Sequence, residues 1–502
     1  MTGLTAFPLP FQASHRTERD GPRTLREIQM MQCSAHIRAK SGWSEKMHDP
    51  EIVARWTREA VEQGLTEAQV RYVLDELAHY ASLRDADTGV EVSAVDGVWH
   101  SDTLIDDALR TRLRDAVRVL EDVPEAERDW HPGSDGQVLD LVHPSLFCLV
   151  NGVSSAPEHA WENPTNRYSK HEFSERFQWL PTDADVAEDG TVSFRSYVNN
   201  VHPERHGELA AVLPELLGRM RPLLENVLTD LRHPRPMRIE ADPYGWYEPE
   251  PEFPDEDDYS DEAAYNEAVE AWEQAEDERY ATRRPMVPDA PEFTAPERPA
   301  PSDRVDLRGR RLQVIVKLAT LHLTPEKPEY AGGSWHVEGM LNERIVSTGL
   351  YYWDSENISE SRLGFRTAVD EPEYEQSDNK GIREVYGLEN EGPLNQTLGS
   401  VETRAGRCLA FPNLLQHRVS PFRLTDPTRP GHRKILAFFL VDPSETLVST
   451  SDVPPQQPWS ETSTMTAEQA HAFREELMRE RKFFVDEHND QVYEREFSLC
   501  EH

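Results

Sequence analysis

Apolar residues recur at helical spacing in the first quarter of the chain. One run of apolar residues at this spacing follows Asp49-Pro50 and ends before Gly64. A second run follows Thr66. Asp and Thr favour helix N-caps and Pro favours the first turn, so two helices are predicted here, with others near 24–39 and 103–120. The apolar residues of the two faces are Ile52, Val53, Trp56, Ala60 and Val61, then Val70, Val73, Leu74, Leu77 and Tyr80.

The pattern changes after residue 180. Alternating residues on either side of Glu188-Asp189-Gly190 predict a hairpin over 185–200, and a long helix is predicted over 204–231. Between them stands Asn199-Asn200-Val201-His202-Pro203. We expect its amides and imidazole to cap the helix, and contact with a substrate is the alternative.

Short β-rich runs separated by Gly and Pro dominate residues 307–447 and predict a jelly-roll. These runs cover 312–323, 345–352, 408–411 and 433–441. Lys317, inside the first run, is interpreted as an edge lysine, with a substrate or supporting role as the alternative. The polar stretch 370–398 is a candidate lid, and a helix capped by Thr466 is predicted up to Lys482.

An acidic, proline-rich stretch at 235–306 interrupts the globular pattern. Between Glu248 and Glu278 there are 15 acidic residues and no Lys or Arg. Its many aromatic residues are unusual for a solvated linker. We therefore predict a helix near 261–279 and an extended arm lying on the sheet domain or on a partner subunit. An acidic funnel that steers a cationic substrate is the sharper hypothesis.

Composition limits the classes of partner. The 502 residues carry a net charge of −39, which disfavours a nucleic-acid partner. The four cysteines are scattered, as in a protein with reduced thiols. No signal peptide or membrane-spanning apolar run is visible, so a cytoplasmic location without membrane attachment is expected.

His336 and Glu338 carry the clearest candidate chemistry. In an extended strand, residues two apart face the same side, so an imidazole and a carboxylate would project together. His417 offers a third ligand, and two His with one carboxylate is the ligand set of non-haem Fe(II) oxygenases. Arg433, at the start of an apolar run, can bind a carboxylate with two hydrogen bonds. A surface histidine beside a surface carboxylate is the alternative.

Several strings resemble the family known as DUF4246. They are GGSWHVEGMLNE (332–343), FPNLLQHRV (411–419) and PGHRKILAFFLVDP (430–443), together with segments 312–330, 453–457 and 499–502. The likeness covers nearly the whole chain. The family resembles a branch of the 2-oxoglutarate/Fe(II) dioxygenase superfamily.

That resemblance implies an α+β protein whose catalytic core is a double-stranded β-helix, the jelly-roll, with a helical N-terminal region and flanking helices. It implies Fe(II) held by His336, Glu338 and His417, 2-oxoglutarate bound through its C5 carboxylate by Arg433, and O2 as co-substrate. A halogenase would lack the carboxylate ligand, so Glu338 favours hydroxylation or desaturation of a C–H bond. Ile435 stands where the superfamily often has a hydroxyl residue, which leaves the details of carboxylate binding open.

Five regions are expected: a mainly helical one (1–135), an α/β flank (136–234), the acidic insertion (235–306), the catalytic core (307–447) and a C-terminal arm with a helix (448–502). The expected partner is a small substrate, amino-acid-derived or cationic, and a homodimer is left open. Two other classes also remain: a non-oxygenase metal-binding cupin enzyme, and an inactive jelly-roll that serves as an interaction protein.

Overall fold

The computed structural model describes residues 4–11, 21–157, 161, 172–376 and 378–499. The end of the resembling string 499–502 therefore lies outside the described residues. Within them the protein mixes helices with antiparallel sheets. Cys33, Cys148 and Cys408 are buried free thiols, and Cys500 lies outside the description.

The helices begin where the caps predict. Thr24, Asp49 and Thr66 each accept a hydrogen bond from a first-turn amide, and Thr466 forms a capping box with Gln469. The α-helices are α1 (Leu25–Arg38), α2 (Trp43–Lys46), α3 (Pro50–Glu62), α4 (Glu67–Leu83), α5 (Asp107–Glu121), α6 (Gly207–Arg232), α7 (Glu262–Thr282), α8 (Asn379–Tyr386) and α9 (Ala467–His488).

The strands follow the β-rich runs but extend further. They are β1 (Glu91–Val92), β2 (Trp99–Ser101), β3 (Val138–Val142), β4 (Leu149–Val150), β5 (Phe177–Gln178), β6 (Thr182–Val186), β7 (Val192–Phe194), β8 (Arg311–Leu323), β9 (Glu329–Tyr330), β10 (Ile345–Glu356), β11 (Arg362–Ala368), β12 (Asn395–Glu402), β13 (Cys408–Pro412), β14 (Gln416–Val419), β15 (Phe422–Arg423) and β16 (Gly431–Val441).

A nine-stranded sheet runs in the order β1-β2-β13-β10-β16-β8-β6-β7, and β3 also pairs with β8. A second sheet has the order β12-β11-β14. Two small pairs, β15-β9 and β4-β5, complete the described sheets. Lys317 lies inside β8, an inner strand with β16 on one side and β6 and β3 on the other, so its interpretation as an edge lysine is wrong.

Each face of the large sheet buries its own apolar layer. On β16, Leu436, Phe438 and Leu440 join the layer that packs against α6 and the N-terminal helices. The intervening Ala437 and Phe439 join a second layer with residues of β11 and β12 from the small sheet. This alternation follows from the two-residue repeat of a strand. The space between the two sheets, called the inter-sheet space below, holds the candidate site.

Residues 370–398 are not the single long polar loop predicted from the sequence. They contain α8, and they place Ile382, Val385 and Leu394 in a small core of their own. Trp246 and Phe497 belong to the same core. The polar composition of this stretch does not reveal that it contains an amphipathic helix, α8, whose apolar face is buried.

The acidic insertion contains the predicted helix as α7, on which no residue is buried. The arm that follows does not lie on a sheet. It runs across α1 and α4: Arg26 donates to the Val287 carbonyl, and Phe293 packs edge-on against Tyr72 at 5.2 Å between ring centroids. The prediction that the arm covers the sheet domain is therefore wrong.

The asparagines of segment 199–203 do not cap α6. Asn199 and Asn200 donate to carbonyl oxygens of His143, Leu146 and Phe147. Only the imidazole of His202 acts near the helix, where it accepts from the amides of Glu204 and Arg205. The asparagine amides therefore hold the loop of residues 143–147 instead.

Segment 474–493 contacts residue 343 and residues 414–416. Arg481 pairs with Glu343 at 2.6 Å, Gln416 donates to Asn489, and the Tyr493 hydroxyl donates to the Leu414 carbonyl at 2.8 Å. No described helix is both long enough and apolar enough to cross a membrane.

Candidate metal centre

The segment that carries His336 and Glu338 is irregular, not the strand predicted. His336 forms an isolated antiparallel bridge with His417 of β14. Gly332 permits this approach: its φ is +95°, and a Cβ there would lie 2.9 Å from the carbonyl oxygen of Val419. A side chain at residue 332 would push the loop away from β14.

The structure brings His336, Glu338 and His417 together. Glu338 Oε1 lies 3.8 Å from His336 Nε2 and 3.4 Å from His417 Nε2. All three ligand atoms fall within 4.8 Å of one another. The His417 side chain is 6% exposed and that of His336 is 39% exposed, so the cluster has a buried side and an open side.

The hydrogen bonds of His336 suit a metal ligand. Its Nδ1 lies 2.9 Å from the carbonyl oxygen of Ser334, which can only accept. The ring proton therefore belongs on Nδ1, and the lone pair of Nε2 is free for a metal ion. His417 presents Nε2 to Glu338 and packs against Phe411, 4.7 Å between ring centroids.

The charge states also fit. Burial acts to raise the pKa of Glu338, but the hydrogen bond with His417 and the charges of His336, His417 and Lys317 lower it to about 2. Burial, with the charge of His417, lowers the pKa of His336 to about 4. An ionised carboxylate and a neutral imidazole are the forms that bind metal.

Asn413 fixes the backbone of Glu338. Its Oδ1 accepts from the Glu338 amide at 2.8 Å, and its Nδ2 donates to the Glu338 carbonyl at 2.9 Å. The same Nδ2 reaches the Ile345 carbonyl at 3.0 Å. Asn413 belongs to the string that ends in His417, so one segment supplies a ligand and positions another.

Arg433 is fully buried, with 0% of its surface exposed. Its Nη1 donates to the hydroxyls of Ser361 and Thr403, and its Nε has no partner. Within the described chain no carboxylate lies within 4 Å of it. Ser361 directly precedes β11 and Thr403 directly follows β12, so hydroxyls from two neighbouring loops hold the guanidinium.

The surroundings of Arg433 connect it to the candidate metal cluster. Its guanidinium lies 5.5 Å from the ring of Tyr352 and 5.1 Å from that of Phe422. Tyr352 shares the layer of the inter-sheet space with Phe411, which touches His417. Burial lowers the pKa of Arg433, as expected for a cation that lacks a counter-charge.

A second cluster went unnoticed in the sequence. His131, Asp140 and His143 also place their ligand atoms within 4.8 Å of one another. A bridge between Trp130 and Leu139 brings the first two together. The available signal was the turn between them, where Gly133 and Gly136 have φ of +78° and +70°.

Two antiparallel sheets flank a cluster of two histidines and one carboxylate, a ligand set that suits a divalent transition metal. The chain belongs to the family described as Protein of unknown function (DUF4246), which matches residues 67–463, while the N-terminal domain DUF4246_N matches residues 2–59. No curated protein matches the chain.

Solved structures show only weak likeness. IDO from Bacillus thuringiensis is 11% identical, with a TM-score of 0.18 over 28% of this chain and 48% of that one. The Fe(II)/(alpha)ketoglutarate-dependent dioxygenase TqaL is 13% identical, with a TM-score of 0.23 over 68% and 93%. A dioxygenase for auxin oxidation (DAO) in rice is 11% identical, with a TM-score of 0.25 over 74% and 79%. The match spans about half of IDO, and none of these scores carries an argument about the reaction.

Proposed function

We propose that this protein is an Fe(II)/2-oxoglutarate-dependent dioxygenase built on a double-stranded β-helix. The observation that carries the proposal is a fully buried arginine without a carboxylate partner, in the same inter-sheet layer as a cluster of two histidines and one glutamate. Burying an unpaired cation costs free energy, so we expect Arg433 to bind an anionic ligand.

Each residue has a distinct part in this function. His336, Glu338 and His417 hold Fe(II) and leave other coordination positions free. When bound, the metal supplies the activation of O2, coupled to oxidative decarboxylation of the 2-oxo acid and oxidation of a substrate C–H bond. Arg433 binds the C5 carboxylate of 2-oxoglutarate, and Ser361 and Thr403 hold its guanidinium in place.

The surrounding residues keep water out and fix the ligands. Phe365 and Phe411 pack on the buried side of His417, with ring centroids at 6.5 and 4.7 Å. Since Glu338 occupies the carboxylate position, hydroxylation or desaturation is favoured over halogenation. The substrate would enter from the open side, where His336 is exposed.

The test begins with metal content. Protein purified without oxygen and loaded with Fe(II) should hold one iron per chain, and His336→Ala should hold little while remaining folded. His471→Ala, an exposed histidine on α9, is the matched control and should keep its iron. Formation of succinate from 2-oxoglutarate is the second readout.

The two readouts separate the outcomes. Iron binding with succinate formation supports the proposal. A bound metal without any 2-oxoglutarate turnover, with or without added substrates, would indicate a non-oxygenase metal enzyme. Unchanged iron content in His336→Ala would remove the ligand assignment.

A further inference from the structure

Asp140 lies in β3, His143 directly follows that strand, and His131 lies in the segment that precedes it. His131 Nδ1 is 2.8 Å from Asp140 Oδ2, and the rings of His131 and His143 are 5.2 Å apart. Asp140 and His143 are each only 5% exposed. Two histidines and a carboxylate are again a possible ligand set for a metal ion.

The hydrogen bonding of His143 argues against a metal. Its Nδ1 accepts from the backbone amide of Ser145 at 3.2 Å, so Nδ1 must carry a lone pair. Burial lowers the pKa of His143 well below its usual range, and the neutral ring then keeps its proton on Nε2. His336 has the opposite arrangement, with Nδ1 facing a carbonyl. His143 therefore offers an N–H donor where His336 offers a lone pair.

The loop that carries His143 is held from several directions. Asn199 and Asn200 donate to its carbonyl groups, and Gln456 donates to the carbonyls of Phe147 and Cys148. Gln457 in turn donates to Asn199 at 2.7 Å. Phe147 adopts a φ of +53°, a conformation that persists only when the surroundings enforce it. Such support is expected of a loop that must present a side chain accurately.

Lys317 lies near Asp140 on the large sheet. On β8 it is two residues from Ala319, which pairs with Asp140 of β3, so the lysine and the aspartate occupy the same face. Burial acts to raise the pKa values of Asp140 and Glu338, yet both are lowered, and the Lys317 ammonium contributes to each. Opposite Lys317 on β16 stands Ala437, whose small side chain leaves room.

Both charges on this face have unused bonding capacity. Asp140 Oδ1 is buried without a hydrogen-bond partner. Its other oxygen faces His131 and, at 3.7 Å, Arg474, which is itself paired with Asp129. Lys317 forms no hydrogen bond or ion pair within 4 Å among the described residues. A buried carboxylate oxygen without a hydrogen bond is costly unless a ligand completes it, and the half-buried Lys317 ammonium can bind the opposite charge of the same ligand.

We propose that Lys317, His143 and Asp140 form a subsite for a small zwitterion of the amino-acid class. Lys317 and the Nε2–H of His143 bind its carboxylate, and Asp140 Oδ1 accepts from its ammonium group. That this zwitterion is the molecule oxidised rests on the proposed function. The subsite itself depends only on these three residues.

The charges select this ligand over simpler ones. A plain cation would lie beside the Lys317 ammonium without neutralising it, and a plain anion would leave Asp140 Oδ1 without a hydrogen bond. A metal ion would meet Lys317, Arg474 and a protonated ring nitrogen. The arm of the acidic insertion lies against α1 and α4, and no contact between the insertion and these three residues is described. Asp140 accounts for recognition of the ligand's ammonium group, so the acidic insertion is not needed for it.

Anaerobic equilibrium dialysis of the full-length protein tests the subsite. The probes are radiolabelled proteinogenic L-amino acids, each with its decarboxylated amine and its deaminated acid. The protein is examined as purified and again after loading with Fe(II) and 2-oxoglutarate. At least one amino acid should bind, and its amine and acid should bind about 10- to 100-fold more weakly, the worth of a charged hydrogen bond.

Variants show which charged residue binds each end of the ligand. Lys317→Met should weaken the amino acid by about 10- to 100-fold but spare the amine, whereas Asp140→Asn should weaken it similarly but spare the acid. Lys434→Met is the control: this lysine is on the adjacent strand, pairs with Glu121 and packs on Trp353. It should leave binding unchanged, and thermal melts establish that every variant folds.

Three results would overturn the proposal. They are failure of every amino acid to bind wild type, undiminished binding in Lys317→Met, and a metal ion that persists in His336→Ala but is lost in His143→Gln. Succinate formation is measured in parallel. Wild type that turns over 2-oxoglutarate yet binds no amino acid rejects the subsite alone, and binding without iron uptake rejects the dioxygenase alone.

Discussion

Asn413 and the backbone of Glu338 are joined by two hydrogen bonds, one in each direction. Asn413 is 1% exposed, and its side chain also donates to the Ile345 carbonyl, so it links the backbone at residue 338 to that at residue 345. Among the described residues it forms no hydrogen bond with a ligand side chain, so its influence on a metal would pass through the position of Glu338.

Replacement of Asn413 with Ala is expected to weaken metal binding by about 10- to 100-fold, because the carboxylate would lose its fixed orientation. Titration with Fe(II) or Co(II) measures the affinity. Asn342→Ala is the matched control, since Asn342 makes the same pair of hydrogen bonds with the backbone of Ser174. Equal metal affinities in the two variants would show that Asn413 has only a structural role.

Arg433→Met is expected to leave the stability of the ligand-free protein unchanged or to raise it, because the cation is buried without a carboxylate. The same variant should lose the thermal stabilisation that 2-oxoglutarate gives to wild type. Melting curves with and without 2-oxoglutarate provide both measurements.

Arg238→Met is the contrasting control for that experiment. Arg238 is also buried but pairs with Glu76, Asp96 and Glu27. Its loss should cost roughly 3–5 kcal/mol, because it leaves uncompensated carboxylates. If Arg433→Met destabilises the ligand-free protein as much, Arg433 is a structural residue and not a ligand-binding one.

The stability should depend on pH through Asp230. Burial raises its pKa to about 6, against about 4 in an unfolded chain, although Trp99 donates to it at 2.7 Å. A raised pKa means that the folded state holds the proton more tightly, so this stabilisation is full below about pH 4 and lost as the pH rises through 6. Between pH 4.5 and 8, wild type should lose roughly 2 kcal/mol relative to Asp230→Asn.

Urea unfolding of both proteins at the two pH values gives the difference. Asp102→Asn is the control of opposite sign. Despite burial, hydrogen bonds from Arg407 and Arg404 hold the pKa of Asp102 below its usual range, so that carboxylate stabilises the fold at pH 8 and less in acid. A pH-independent difference for Asp230→Asn would mean that Asp230 is not desolvated.

The arm after α7 should be released by a single change. Asp289 accepts from Gln69 at 2.7 Å and from Thr66, the two residues of the α4 capping box. Asp289→Ala is therefore expected to increase proteolysis within 283–305 and to reduce stability by about 1 kcal/mol. Glu292→Ala, an exposed residue of the same arm, should change neither. Identical digestion patterns would show that the arm is held by its other contacts.

The sequence was informative where a local rule decides the structure. Thr66 and Thr466 are N-caps whose side chains bond an amide three residues away, so both helix starts were predicted correctly. The apolar run after Arg433 became β16 because both of its faces are buried. His336 and Glu338 were predicted to project together, and they do, although the loop at Gly332 and not a strand brings this about.

The sequence was uninformative where the neighbour comes from a distant segment. Lys317 looked like an edge residue because nothing local shows that β3 and β16 flank β8. The 370–398 stretch looked like a loop because the core of α8 is completed by Trp246 and Phe497, more than a hundred residues away on either side. Such pairings depend on topology, which local propensity does not encode.

The contacts of segment 474–493 fix the order in which the centre can mature. Glu343, Leu414 and Gln416 stand beside the ligand residues, and their partners Arg481, Tyr493 and Asn489 all follow His417 in the chain. A ribosome therefore releases all three ligands before it makes the residues that brace them. Because nascent chains fold as they emerge, the pocket stays incompletely braced during synthesis, and under the proposed function tight binding of Fe(II) would be a late step in the life of each molecule.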